Sequence, residues 1–229
     1  MIKKNSIVII SLLALLTPSL TLNSQTIEDY IKNAKAGSKI SQYNLGVCYD
    51  EGWGVLPDKT KAVYWYEQAA AQHHPKAMYN LAIHYYYGEG VEADCLKAIS
   101  LYEQAADSGL VGAMLNLGNC YKDSLCSAFD YKKSFYWLQK AYDNGEKKAT
   151  ISLGYCYFQG WGVKKDLSKA VKFWQEAAQN GDADAQFNLG VCYENGLGVE
   201  VDWRKAFDWY VSAEKLGHPL AKQRLAEKH

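Results

Sequence analysis

The sequence predicts an all-α solenoid of antiparallel helix hairpins. Three observations predict it. A 36-residue period runs through five copies without slipping, apolar residues fall at i and i+4 inside each period, and aspartate or glycine stands wherever a helix has to start or stop. Leucine recurs at Leu45, Leu81, Leu117, Leu153, Leu189 and again at Leu225. Tyrosine follows four residues later, at Tyr49, Tyr85, Tyr121, Tyr157 and Tyr193. Aspartate recurs at Asp58, Asp94, Asp130, Asp166 and Asp202, and alanine at Ala69, Ala105, Ala141, Ala177 and Ala213. Each copy is one hairpin that cannot bury its apolar face alone, so stacked copies share a continuous core.

Taken in order, residues 1–24 read as a secretory signal peptide. Lys3 and Lys4 form a basic start, Ser6 to Leu22 an apolar run, and Asn23-Ser24-Gln25 a polar exit. Leu22 spoils a small-x-small cleavage site, which keeps an uncleaved anchor open as the alternative. Residues 25–40 hold a lone capping helix from Thr26 to Ala36, followed by Gly37 at a turn. The repeats are 41–76, 77–112, 113–148, 149–184 and 185–220, and 221–229 completes a C-terminal capping helix that begins at Pro219.

Within copy one, a first helix over Ser41 to Glu51 ends at Gly52-Trp53-Gly54-Val55. Asp58 then caps a second helix through Ala62, Tyr66, Ala69 and Ala70, whose small residues let a neighbouring helix approach. Glycine marks the second turn at Gly109, Gly145, Gly181 and Gly217, but copy one has His73 there, which predicts a strained backbone at that histidine. Copy three breaks the pattern: Lys122-Asp123-Ser124-Leu125-Cys126-Ser127 lacks both turn glycines and the valine. This predicts either a locally rearranged loop or a specialised, redox-locked corner.

Composition narrows the function classes. The chain of 229 residues carries 25 basic and 25 acidic side chains, and setting Lys3 and Lys4 aside leaves 23 against 25. No basic excess is available for a nucleic-acid backbone, so no nucleic-acid partner is expected. The histidines (His73, His74, His84, His218, His229) have no metal-binding spacing, and no C-x-x-C, nucleophile elbow or phosphate loop occurs. No catalysis, cofactor or metal is expected, and His73-His74 reads as a solvated pair.

The repeated residues resemble the Sel1-like repeat, a relative of the tetratricopeptide repeat. Copy one carries Leu45, Gly46, Tyr49, Gly52, Gly54, Val55, Asp58, Lys61, Ala62, Trp65, Tyr66, Ala69 and Ala70. Copy four carries Ala149, Leu153, Gly154, Tyr157, Gly160, Gly162, Val163, Asp166, Lys169, Ala170, Trp174, Ala177, Ala178 and Gly181. The resemblance implies a right-handed superhelix acting as an interaction scaffold. Exported members of the family are associated with envelope assembly, host-cell interaction and neutralising secreted toxins. A monomeric periplasmic or secreted protein that holds a protein partner is therefore expected, the partner being a secreted toxin or effector, an envelope protein or a host protein. A cell-wall glycan or peptide ligand stays open as the alternative.

Cys48, Cys120, Cys156 and Cys192 all precede the repeat tyrosine, copy two having His84 instead, and read as buried thiols. Copies of one position in stacked hairpins lie about 10 Å apart, beyond disulfide reach. Cys95 opens the second helix of copy two and Cys126 lies in the aberrant loop. Neighbouring loops run side by side, which makes Cys95–Cys126 the favoured pairing and Cys120–Cys126 the second. The disulfides that some exported relatives carry inside each repeat do not fit these spacings. Lys61, Lys97, Lys133, Lys169 and Lys205 oppose the helix dipole, and pairing with the capping aspartate or with the next repeat would account for them.

By resemblance to the tetratricopeptide layout, the first helices line a concave surface. Its candidate partner-binding residues are Tyr43, Tyr79, Ile83, Tyr86, Tyr87, Leu115, Asn119, Ile151, Tyr155, Phe158, Phe187 and Val191. Aromatic anchors of this kind dominate interfaces, and burial against the second helices is the competing reading. Trp53, Leu125, Trp161 and Leu197 form a second candidate surface along the loop ridge, with packing under a neighbouring loop as its alternative.

Overall fold

The computed structural model describes residues 26–123 and 126–227. Among them the chain is all helical: α1 (Ile27–Lys35), α2 (Lys39–Glu51), α3 (Lys59–Ala70), α4 (Pro75–Tyr87), α5 (Cys95–Asp107), α6 (Val111–Lys122), α7 (Tyr131–Asp143), α8 (Ala149–Gln159), α9 (Leu167–Gln179), α10 (Ala183–Asn195), α11 (Trp203–Lys215) and α12 (Pro219–Ala226). Each helix packs chiefly on its neighbours in the chain, which makes the fold a solenoid. The signal segment and Leu125 lie outside the described residues. Among the described helices none is long and apolar enough to cross a membrane.

The starts of the second helices follow from the aspartates. Asp58, Asp94, Asp130, Asp166 and Asp202 are all N-caps, each accepting from the backbone N–H three residues on, that of the repeat lysine. Each capping aspartate also donates its own N–H to the carbonyl of the repeat tyrosine, from Asp58 to Tyr49 at 2.8 Å through Asp202 to Tyr193 at 2.9 Å. Copy three keeps that bond, Asp130 to Tyr121 at 2.9 Å, despite its altered loop. One backbone bond therefore holds the register while the intervening residues rearrange.

The first helices start earlier than the apolar pattern suggests. α2 begins at Lys39 and not Ser41, because Ser38 caps it by accepting from the Ser41 N–H. His74 and His218 do the same for α4 and α12 through Nδ1, at 3.2 Å from the N–H groups of Ala77 and Ala221. His74 is thus a half-buried cap and not one of a solvated pair, while His73 has φ 57, the one positive value among described non-glycine residues.

The core is built from the repeat leucines and alanines. Leu45, Leu81, Leu117, Leu153 and Leu189 are all buried, each contributing roughly 1.5–3 kcal/mol by area. The residue after each leucine has little room: a Cβ on Gly46 would lie 2.6 Å from the Tyr66 ring, and one on Gly190 2.5 Å from Tyr210. Close helix approach, not turn geometry, thus requires these glycines inside helices.

The repeat lysines are explained by a contact absent from both sequence-based pairings. In all five copies the ammonium stands over the repeat tyrosine ring, from Lys97 over Tyr85 at 4.0 Å to Lys61 over Tyr49 at 5.4 Å. The two expected pairings also occur: Lys61 reaches Asp58 (3.1 Å) and Lys205 reaches Asp202 (3.3 Å), while Lys97 lies 3.9 Å from Glu67 of the preceding copy.

Candidate functional site

In four copies the residue two before the repeat leucine meets the second helix of its own copy. Tyr43, Tyr79 and Phe187 lie 6.1, 5.8 and 5.5 Å from the rings of Tyr66, Tyr102 and Tyr210, and the Ile151 carbonyl accepts from Trp174 Nε1 at 3.4 Å. Tyr155 and Phe158 flank the same Trp174 ring, at 5.3 and 5.2 Å. Tyr43 and Phe187 further stack on the capping histidines His74 and His218. All the candidate concave residues are half-buried except Tyr87, which is 68% exposed. Packing against the second helices therefore takes part of the rings of Tyr43, Tyr79, Tyr155, Phe158 and Phe187, whereas Tyr87 keeps most of its surface exposed.

The structure brings four of the candidates together. Ile83, Tyr86, Tyr87 and Asn119 line a cleft of about 220 Å³ with Tyr102, Asn116 and Cys120. Tyr86 and Tyr87 meet edge to face at 5.0 Å, and the Tyr86 hydroxyl donates to Asp123 Oδ2 at 2.5 Å. Burial and the Asp123 carboxylate push the Tyr86 hydroxyl well above its usual pKa, so it stays a neutral donor. Tyr43 borders a second cleft, of about 480 Å³, with Asn44, His74, Pro75 and Leu110. Leu115, Ile151, Tyr155, Phe158, Phe187 and Val191 lie outside both clefts.

Pattern reading missed two features. The residue before each repeat leucine is Asn44, Asn80, Asn116, Ser152 or Asn188, a recurrence that the same 36-residue cut exposes. The second is a polar seam between copies one and two. Asp50 accepts from Lys59 Nζ (2.5 Å) and from Tyr66 (3.3 Å), and His84 Nε2 lies 3.4 Å from it. His84 is 2% exposed, with Nδ1 2.8 Å from the Glu89 carbonyl. Burial acts to raise the Asp50 pKa, but the Lys59 hydrogen bond and the charges of His84 and Lys59 outweigh it and hold the carboxyl below its usual range. This cluster joins two copies, its carboxylate oxygens both occupied by protein groups.

On the loop ridge the outcomes divide. Trp53 is 64% exposed, Trp161 lies flat on Tyr131 at 4.9 Å, and Leu197 is half-buried against the core. A single disulfide joins Cys95 to Cys126, with Cα atoms 5.9 Å apart, while Cys48, Cys120, Cys156 and Cys192 are free and buried. Cys126 occupies the place of the second turn glycine, Gly54, Gly90, Gly162 or Gly198 in the other copies. In three of those copies a Cβ there would strike the backbone of the first residue of the preceding second helix, namely Lys59, Tyr131 or Leu167. Cys95 is the corresponding residue of α5, so the bond replaces a close backbone contact by a covalent one. Burial pushes the Cys120, Cys156 and Cys192 thiols up to about 12, 11 and 12, which leaves them unreactive at neutral pH. Among the described residues no group of three or more His, Cys, Asp and Glu side chains is placed to hold a metal.

This hairpin architecture recurs in solved structures. A protective antigen present in uropathogenic Escherichia coli strains is 28% identical with a TM-score of 0.78 over 87% of this chain, which spans 43% of that protein's length. A Sel1 repeat protein from Oxalobacter formigenes is 30% identical with a TM-score of 0.74, over 85% of this chain and 80% of its own. A Sel1 repeat protein from Klebsiella pneumoniae, 23% identical with a TM-score of 0.52 over 89% of this chain and 99% of its own, shares the fold. Residues 39–74, 75–110, 111–146, 147–182 and 183–218 each match the Sel1 repeat, and with its caps, glycines and leucines in that register the chain belongs to the Sel1 repeat family.

Proposed function

We propose that the chain is an exported, non-catalytic, monomeric scaffold that holds one protein partner on its first-helix face. The observation that carries this reading is the cleft around Tyr87. An exposed aromatic stands beside Ile83, Tyr86 and Asn119, on a repeat architecture suited to protein–protein interaction. Export is supported by the Lys3-Lys4 start with its apolar run, and by a disulfide, which persists in oxidising compartments. A secreted effector held inactive, an envelope protein and a host protein are the partner classes such a face would serve.

The test is chemical cross-linking of residues 25–229 in native envelope and medium, followed by identification of what co-purifies. One stoichiometric protein is expected, and it is lost on Tyr86→Ala/Tyr87→Ala exchange while the helical circular dichroism is retained. Unchanged capture by that variant refutes the assignment of the face. Recovery of cell-wall fragments alone, with saturable muropeptide binding, replaces the protein partner by a glycan or peptide ligand.

A further inference from the structure

The third copy leaves its first helix differently from the others. Copies one, two, four and five end that helix on a left-handed glycine, Gly52, Gly88, Gly160 or Gly196. The residue before it, Glu51, Tyr87, Gln159 or Asn195, is the last of its helix. In copy three α6 stops one residue early, at Lys122, and Asp123 takes an extended backbone with φ −72 and ψ 112. From there its carboxylate reaches the neighbouring copy and accepts from the Tyr86 hydroxyl. The Asp123 N–H donates to the Asn119 carbonyl at 3.1 Å. Asp123 thus ties down two of the residues that line the cleft around Tyr87.

The disulfide holds Asp123 in that place. The Cys126 N–H donates to the Asp123 carbonyl at 3.1 Å, and Cys126 is bonded to Cys95, the first residue of α5. In copies two, four and five a glycine rests at the Cys126 position directly on the preceding second helix, a contact that requires no bond. Two thiol sulfurs cannot stay as close as two bonded ones, so reduction parts Cys126 from the start of α5 and frees the turn that begins at Asp123. The other copies show the conformation then open to Asp123, as the last residue of its helix. Cys95 is half-buried and Cys126 buried, so a dithiol attacks the Cys95 sulfur. Cys126 leaves as a thiolate and takes a proton, and the second thiol of the reductant closes its own disulfide and releases Cys95 as a thiol.

We infer that the Cys95–Cys126 disulfide is a redox control on the partner cleft: bonded, it keeps Asp123 out of α6 and on Tyr86, and reduced, it lets Tyr86 go. The chain then holds its partner in an oxidising compartment and releases it when a dithiol reduces the bond. This control rests on the reading of the cleft as the partner-binding face. Asp123 acts as a positioning residue, through the Tyr86 ring that meets Tyr87 edge to face.

The experiment is fluorine NMR of residues 25–229 carrying 3-fluorotyrosine, with the Tyr86 and Tyr210 signals assigned by Tyr→Phe exchange, before and after dithiothreitol. Reduction is expected to move the Tyr86 signal to where it stands in oxidised Asp123→Ala, and to leave the distant Tyr210 signal in place. In Asp123→Ala itself reduction is expected to leave Tyr86 unmoved. A Tyr86 signal indifferent to reduction, an Asp123→Ala protein that still responds, or a Tyr210 signal that moves as far as Tyr86 overturns the inference. Cross-linked capture separates the control from the face. Cys95→Ser/Cys126→Ser, which spares the partner any reductant, is expected to capture at least about tenfold less of it than the oxidised chain. Capture lost on Tyr86→Ala/Tyr87→Ala exchange but kept by the serine variant retains the face and removes the control. Capture indifferent to the tyrosine exchange removes the face, and the control with it, whatever the fluorine signals show.

Discussion

Reduction of the Cys95–Cys126 disulfide is expected to destabilise this protein by an amount comparable to truncating a fully buried core side chain. The bond closes a loop with a sequence separation of 31, across the junction between copies two and three. Chain-entropy arguments put the denatured-state restriction of such a loop at about 3.7 kcal/mol at 25 °C, less whatever structure the unfolded chain keeps. The native contribution adds to this, because Cys126 stands where the other loops seat a glycine against the preceding second helix, and severing the bond leaves that seat unmade. The assay is urea unfolding followed by circular dichroism, comparing oxidised protein, reduced protein and the Cys95→Ser/Cys126→Ser variant. The reduced and variant forms are expected to lose about 2–4 kcal/mol and to show a steeper urea dependence, since their unfolded chains expose more surface. Thiol titration after denaturation provides the control: four thiols in the oxidised protein and six after reduction. A stability difference below about 1 kcal/mol, or six thiols before reduction, would refute the argument from loop closure.

Four further perturbations test the packing and capping arguments. Gly154→Ala places a Cβ on the Trp174 indole nitrogen and is expected to lower stability by about 1–3 kcal/mol, read as the urea midpoint; an unchanged midpoint removes the close-approach explanation of the helical glycines. His73→Gly relieves the φ of 57 and is expected to gain up to about 1 kcal/mol, visible as a raised melting temperature, whereas a lowered one argues against strain there. His74 caps α4 through a neutral Nδ1, and burial, with Lys39 and Lys76, holds its pKa below the ordinary value. Its contribution is therefore complete above about pH 6.5 and is lost as pH falls below it. Stability measured from pH 7.5 to 4.5 should fall less steeply in His74→Asn, which keeps a cap that does not titrate, and equal slopes would remove the role. Lys97→Met keeps the aliphatic stem but not the charge over Tyr85, and a loss of about 0.5–1 kcal/mol in urea unfolding is expected; no loss would reduce the lysine ladder to a bystander.

The elements whose cause is local were legible in the sequence. Helix starts follow from capping aspartates and helix stops from turn glycines, and both act within a few residues of where they stand. Periodicity then identified the buried leucines and alanines, because one face of a 3.6-residue helix must be covered. The strained His73 belongs to the same class, as a side chain in a glycine's place. The Cys95 and Cys126 pairing was readable because the register of a solenoid fixes which loops are neighbours.

What depended on several helices at once was decided by tertiary structure. The repeat lysines were visible but their partner was not, since the tyrosine face they cover comes from a different helix of the hairpin. Tyr86, Tyr87, Tyr155 and Phe158 stood out together in the sequence as aromatic groove residues, yet Tyr155 and Phe158 pack on Trp174 while Tyr87 stays exposed. His84 read only as a substitution for the repeat cysteine until the seam between copies put it 3.4 Å from Asp50. The asparagines were a pattern with no direction, and tyrosine hydroxyls of two other helices accept from the amides of Asn80 and Asn116. A repeating sequence states which positions are equivalent; only the stacked helices determine what each equivalent position faces, because facing is a relation between elements that the period itself does not contain.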